Sequence, residues 1–371
     1  MSAFGSYMLV GGVAAATTFV VTPLMRWLSP KIGGVVPPDP TRVHTKPTPT
    51  LGGVAMFVGF LAAMLVAWQL DAFKEIFSSD NSEPLGVVIG AALMFAVGLL
   101  DDLYEWSAPA KLSGMIFAAS PLFMLGVEMF YFRVPFFDLV VLSNDLQPLV
   151  TVLWVIGMAN AINLIDGLDG LAAGIVAIAA ATFFFYGDRL VDLSLLDATT
   201  IGPLLAIIVV GLCVGFLPHN FNPARIFMGD CGALLLGLLM ACSTIVVGGR
   251  VNEPFSGQTY FFFAPLFIPL VILGVPMVDT LFAIVRRATR RSGLATRDKD
   301  HLHHRLMRLG HGQRRSVLIL WLWTAILSGF VLYPTYTGKG DAVVPLGIAA
   351  MFLVLYTVLH PQVRRVRAEG E

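Results

Sequence analysis

The amino-acid sequence predicts an all-α fold: a polytopic membrane helix bundle of about eleven transmembrane helices, with the N-terminus outside and the C-terminus cytoplasmic. Three observations predict it. Of 371 residues, 57% are hydrophobic and only 13% charged, and the mean hydropathy is +0.79; an ordinary soluble domain carries about 25% charged residues. The apolar residues gather in runs of about twenty, the length a helix needs to cross a bilayer. The basic residues divide unevenly between the connections: of the 24 Lys and Arg, 19 fall on one side of the predicted bundle and 5 on the other.

The runs lie at roughly 6–28, 50–70, 85–101, 111–129, 148–164, 169–187, 201–218, 232–248, 260–285, 316–334 and 342–360. They are continuously apolar, whereas a membrane β-barrel would alternate over short strands. The first run lacks a basic leader and exceeds the 7–15 residues of a signal-peptide core, so it reads as a retained helix. The ninth contains Pro265, Pro269, Gly274 and Pro276, which predicts a kink or break, because each proline removes a backbone donor and crowds the preceding turn. No internal repeat or pair of matching halves is evident. The chain therefore reads as one transmembrane domain over 1–371, with a basic cytoplasmic loop at about 286–315 that holds ten of the Lys and Arg.

An odd number of spans puts the termini on opposite sides. The positive-inside rule assigns the richly basic side to the cytoplasm, and the chain is expected to be a multi-pass protein of the plasma membrane. Cys213, Cys231 and Cys242 lie in or beside apolar runs at no metal-binding spacing; they read as small buried residues.

Charge is costly beside apolar helices, about 2.5–3.5 kcal/mol per group at the bilayer centre, so the places that keep it are informative. Asp101 and Asp102 end the third run. Acids there meet the negative pole of their own helix, which makes a structural role a poor explanation. Asn160 and Asn163 share a face at the end of the fifth run. Asp166 and Asp169 follow in a turn with Gly167 and Gly170, with Gly174 just beyond; the alternative for Asp169 is a helix N-cap. Asp230, between Gly229 and Cys231, opens the eighth run, where a capping role competes with metal ligation. His301, His303 and His304 are interleaved with Arg305 and Arg308. That mixture suits a polyanion better than a transition metal, and the alternative is attraction to anionic lipid. His44 and Lys46, in a proline-stiffened approach to the second run, read equally as anion binders or as a structural turn.

The parity of the spans places all these groups on one membrane face. Five carboxylates there call for a divalent cation, and oxygen ligands suit Mg²⁺ or Mn²⁺. A basic loop over such a site fits phosphate chemistry. A Mg²⁺- or proton-coupled transporter is the alternative, and it predicts charges near mid-membrane. Nothing in the pattern points to a nucleic-acid partner.

Asp101-Asp102 with Lys111 ten residues after Asp101, then NAINLIDGLDG, FMGD and HLHHRL, taken in that order, resemble the polyprenyl-phosphate N-acetylhexosamine-1-phosphate transferases. The resemblance runs from the second to the tenth run. The HxHH spacing and the eleven spans look like the N-acetylglucosamine branch rather than the muramoyl-pentapeptide branch. The resemblance implies transfer of N-acetylglucosamine-1-phosphate from UDP-N-acetylglucosamine to an undecaprenyl or decaprenyl phosphate, with release of UMP, as the first membrane step of a cell-envelope glycan. It implies Mg²⁺ on Asn163 and Asp230. It implies catalytic roles for Asp101, Asp102, Lys111, Asp166 and Asp169, and substrate binding by His301, His303, His304 and Arg305; Asn160, His44 and Lys46 join the substrate-binding candidates on their placement in the sequence. A homodimer is compatible with it.

Overall fold

The computed structural model describes residues 2–37, 47–133, 139–197, 199–248, 312–337, 345 and 347–353. Among these residues nine long helices dominate: α1 Ala3–Leu28, α2 Gly52–Gln69, α3 Glu83–Tyr104, α4 Ala108–Met124, α5 Leu146–Ile165, α6 Leu171–Asp192, α7 Gly202–Asn220, α8 Gly229–Gly248 and α9 Gly312–Thr337. All except α4 are long and apolar enough to cross a membrane. Two small antiparallel hairpins interrupt the all-α pattern: β1 Val35–Val36 with β2 Thr48–Pro49, and β3 Tyr131–Arg133 with β4 Leu139–Val141. The ninth predicted span, with its prolines, and most of the eleventh lie outside the described residues.

The fourth helix starts and stops earlier than its apolar run. Pro109 sits at the start of α4, where its missing N–H costs nothing. Gly126, at φ +94°, helps to turn the chain away after Met124. The shift puts Lys111 in the first turn of α4, where the helix dipole disfavours a cation.

The bundle is organised around α8. Nearly every residue of that helix is buried, as expected of a helix that is apolar all round. α3, α5 and α7 pack against it, while α1, α2, α6 and α9 complete the layers outside. The fit depends on small side chains, since close backbone approach replaces hydrophobic drive between membrane helices. Polar groups add fixed points: Trp154 Nε1 donates to Thr244 Oγ1 at 2.9 Å, and Ser243 Oγ to the Gly202 carbonyl at 3.0 Å. The outer helices present Phe19, Val20, Leu24 and Trp27 on α1, Leu65 and Trp68 on α2, and Phe117 and Met124 on α4. Such a belt is unfavourable in water and suited to lipid.

The connections at one end of the bundle are tied together by backbone pairing. The Phe227 N–H donates to the Pro49 carbonyl at 2.8 Å. The Gly52 and Gly53 N–H groups donate to the carbonyls of Phe227 and Met228 at 2.9 and 2.8 Å. The lead into α2 and the lead into α8 thus form one unit, and it carries Asp230 into the cluster described next.

Candidate active site

The last turn of α3 meets the first turn of α8. Asp102 places one carboxylate oxygen on the Asp230 N–H at 2.9 Å and the other on the Cys231 N–H at 3.0 Å. It therefore caps α8 from a neighbouring helix, satisfying two of the N–H groups that every helix start leaves over. This corrects the sequence expectation that Asp102 lacks a structural role: the pole it meets is the positive end of α8. Gly229 makes the approach feasible. Its φ is +70°, and a Cβ there would stand 2.5 Å from Asp102 Oδ2.

Asp101 turns the other way. One oxygen accepts the Trp106 backbone N–H at 2.9 Å, and the other pairs with Lys111 Nζ at 2.9 Å. The same ammonium contacts the Asp230 carboxylate. Two placements that are unfavourable singly, acids at the end of α3 and a cation at the start of α4, become each other's partners. The Asn163 amide and the Asp101 carboxyl both reach the Asp230 carboxylate, so the two residues expected to hold metal stand together.

Asp166 lies in the turn between α5 and α6. Burial first, then the charges of Asp230, Asp102 and Asp169, push its carboxyl up to about 8. Among the described residues, four carboxyl groups, those of Asp101, Asp102, Asp166 and Asp230, thus gather about one ammonium, that of Lys111. Oxygen donors so gathered fit a divalent cation. Among the described residues no three His, Cys, Asp or Glu side chains form a cage. A Mg²⁺ ion needs none, because it keeps waters and shares substrate phosphates with one or two protein ligands.

Asp169 stands apart from this arrangement. Its Oδ2 accepts the Asn222 side-chain amide at 2.8 Å and the Ala224 N–H at 3.0 Å. The residue at the N-cap of α6 is Gly170, at φ +76°, so the capping alternative for Asp169 does not hold. Gly174 packs against the Trp321 ring of α9. Asn160 donates to the Ile156 carbonyl at 2.9 Å and toward Met115 Sδ at 3.9 Å; its contacts are with its own helix and α4 rather than with the carboxylates. His44, Lys46, His301, His303, His304 and Arg305 lie outside the described residues.

Four contributors were missed in the sequence. Asn220 accepts the Gly170 N–H at 3.0 Å and donates to the Ile226 carbonyl at 3.0 Å. Asn222 links Asp169 to Gln313, and Arg314 donates to Asn222. The available signal was two amides, Asn220 and Asn222, in the polar stretch just before FMGD. The six assigned groups Asp101, Asp102, Lys111, Asn163, Asp166 and Asp230 converge at helix ends, not at mid-bundle, which removes the observation a transporter reading needs.

The fold and site define a multi-pass membrane protein with a mixed acidic and basic cluster at one end of its bundle. Residues 84–248, which carry that cluster from Asp101 to Asp230, match the family model described as glycosyl transferase family 4. The chain is 35% identical over 362 residues to a decaprenyl-phosphate N-acetylglucosaminephosphotransferase of Mycolicibacterium smegmatis, covering 96% of this chain and 89% of the relative. It is 36% identical over 363 residues to the protein of that name from Mycobacterium tuberculosis, with the same coverage. A phospho-N-acetylmuramoyl-pentapeptide-transferase of Desulforudis audaxviator is 33% identical over 345 residues, 86% of this chain and 96% of that one. The chain belongs to glycosyl transferase family 4 and is a phosphotransferase of that family.

Proposed function

We propose that this protein transfers N-acetylglucosamine-1-phosphate from UDP-N-acetylglucosamine to a polyprenyl phosphate, yielding polyprenyl-diphosphate-N-acetylglucosamine and UMP, on the cytoplasmic face of the plasma membrane. The observation that carries the reading is Lys111 held between Asp101 and Asp230, beside Asn163. It stands in a chain similar over 96% of its length to N-acetylglucosamine phosphotransferases. The excess of Lys and Arg on the connections of that end supports the cytoplasmic placement.

An oxygen of the acceptor phosphate attacks the phosphorus that bears the sugar. The new P–O bond replaces the bond to the bridging oxygen, and UMP leaves with that oxygen and its charge. One phosphoanhydride is exchanged for another. A phosphate monoester has its second pKa near 6 and is mostly dianionic at pH 7, so the protein need not supply a strong base. Lys111, a compact cation, attracts and orients a phosphate while Asp101 fixes the ammonium. Asp102 holds Asp230 in place through the start of α8. Positioning and charge neutralisation then account for direct attack. Asn163 and Asp230 would hold Mg²⁺, or Mn²⁺ in its place, which when bound neutralises charge on the phosphates. The apolar side chains exposed on the outer helices suit a lipid acceptor that stays in the membrane.

The test is UMP release by the purified protein with polyprenyl phosphate, Mg²⁺ and a panel of UDP-sugars. Release with UDP-N-acetylglucosamine and loss of release in EDTA are expected. Release only with another sugar would overturn the donor assignment, and no release with any donor would overturn the reaction.

A further inference from the structure

Asp166 and Asp169 come from one turn, yet their surroundings differ. Asp166 sits among the carboxylates of the cluster. Asp169 spends its Oδ2 on two donors from the α7–α8 connection, Asn222 Nδ2 and the Ala224 N–H. Asn222 is then fully engaged. The same side-chain nitrogen donates its second hydrogen to Gln313 Oε1 at 2.7 Å. The Asn222 carbonyl and Oδ1 accept Arg314 Nε at 3.0 and 3.2 Å. Gln313 and Arg314 belong to the first turn of α9, where the basic segment ends. A carboxylate in the α5–α6 turn is thus connected through one amide, Asn222, to the start of a helix 91 residues beyond that amide.

We propose that Asp169 is a positioning residue: by orienting Asn222 it holds the first turn of α9, and with it the end of the basic segment, against the turn that carries Asp166. It does not exchange a proton with substrate. An acceptor is what the arrangement requires, because both groups facing Asp169 Oδ2 are donors. A carboxylate also makes the stronger bond, since hydrogen bonds to charged groups contribute roughly twice as much as neutral ones. The kinetic consequence rests on the transferase reading, in which donor binding depends on where the basic segment is held; the contact itself does not.

The pair invites an exchange of roles. Asp169→Asn leaves a weaker, neutral acceptor in the place of Oδ2, and Asn222→Asp sets two carboxylates face to face. In the double variant the amide at position 169 turns its nitrogen to the carboxylate at 222, which receives Arg314 and, after rotation of its side-chain amide, Gln313, while the Ala224 N–H loses this acceptor. Backbone hydrogen exchange at residues 312–318 and steady-state kinetics on the purified protein in detergent read the result. Each single variant is expected to speed exchange there about tenfold and to raise KM for the UDP-sugar about tenfold, with kcat changed less than about threefold. The double variant is expected to return both readings to within about threefold of the parent. Gln313→Ala, which removes a partner on α9 and leaves Asp169 intact, is expected to give the same exchange and KM effects and serves if Asp169→Asn does not fold. A large fall in kcat in Asp169→Asn that the double variant does not reverse would overturn the proposal in favour of acid–base work by Asp169. Unchanged exchange in the single variants and in Gln313→Ala would overturn it by showing that the contact holds nothing. If the parent protein released no UMP, the transferase reading would fail, and the exchange measurements alone would still decide the role of Asp169.

Discussion

The Asp102 carboxylate and the Asp230 backbone N–H, 128 residues apart in sequence, are 2.9 Å apart in the structure, and the second Asp102 oxygen takes the next N–H of α8. The aspartate that precedes the connection to α4 thus sets the start of the helix that delivers Asp230. Asp102→Asn keeps the size of the side chain but leaves one acceptor where two are needed, and it points an amide at an N–H. Loss of a helix cap costs about 0.5–2 kcal/mol. The variant is expected to melt several degrees lower in detergent and to lose most of its turnover, because Asp230 moves with its helix. A thermal melt and a UMP-release assay check this together; unchanged melting with lost turnover would mean that Asp102 acts on substrate instead.

Lys111 is the counter-charge of Asp101 and Asp230. Lys111→Met leaves two carboxylates facing each other. Removing one partner of a fully buried pair costs about 3–5 kcal/mol; this cluster reaches solvent in part, so a loss of about 1–3 kcal/mol is expected. Added Mg²⁺ should return much of that stability by replacing the missing charge, although turnover stays low. Melting in EDTA and in Mg²⁺ makes the comparison, and an equal loss in both would refute it.

Gly229 joins the α7–α8 connection to the cluster at φ +70°. Gly229→Ala is expected to be among the most damaging single-methyl changes in the chain. The left-handed conformation costs about 1–2 kcal/mol, and the new methyl group would stand 2.5 Å from both Asp102 Oδ2 and the Thr50 carbonyl. Neither neighbour can retreat without breaking the α8 cap or the pairing beside β2. Low recovery of folded protein, measured by fluorescence size-exclusion chromatography, is the expected result.

Much of this site was legible because carboxylates at the ends of apolar helices are rare and costly. Asp101, Asp166 and Asp230 stood out on that ground, and span parity brought them to one end, where the structure places them. The start of α4 was less legible: an apolar run does not mark where Pro109 begins a helix or where Gly126 turns the chain, so the expected span sat a few residues late. The cap from Asp102 was hidden for a different reason. Dipole reasoning sees a residue's own helix, whereas the relevant helix start came from a segment distant in sequence. Asn222 escaped notice because a lone amide in a polar connection carries no charge penalty and only its three partners give it meaning.

Direct attack makes a prediction about exchange. A mechanism with a phospho-aspartyl enzyme would let labelled UMP enter UDP-N-acetylglucosamine without any lipid, because the first half-reaction would be complete and reversible. Direct attack forbids this. Label should enter the nucleotide sugar only when the polyprenyl phosphate or its product is present, and exchange in lipid-free detergent at a rate near turnover would contradict the account.

The most direct test of the central claim is to titrate Mg²⁺ against UMP release, and Mn²⁺ against its own binding by electron paramagnetic resonance, in the parent protein, Asn163→Ala and Asp230→Asn. These two residues stand side by side at the meeting of α5 and α8. The account predicts that both variants fold, bind Mn²⁺ at least about tenfold more weakly, and lose most of their turnover, since a tenfold change corresponds to about 1.4 kcal/mol, the scale of one ligand's contribution. Full activity in both variants with an unchanged Mg²⁺ requirement would contradict it.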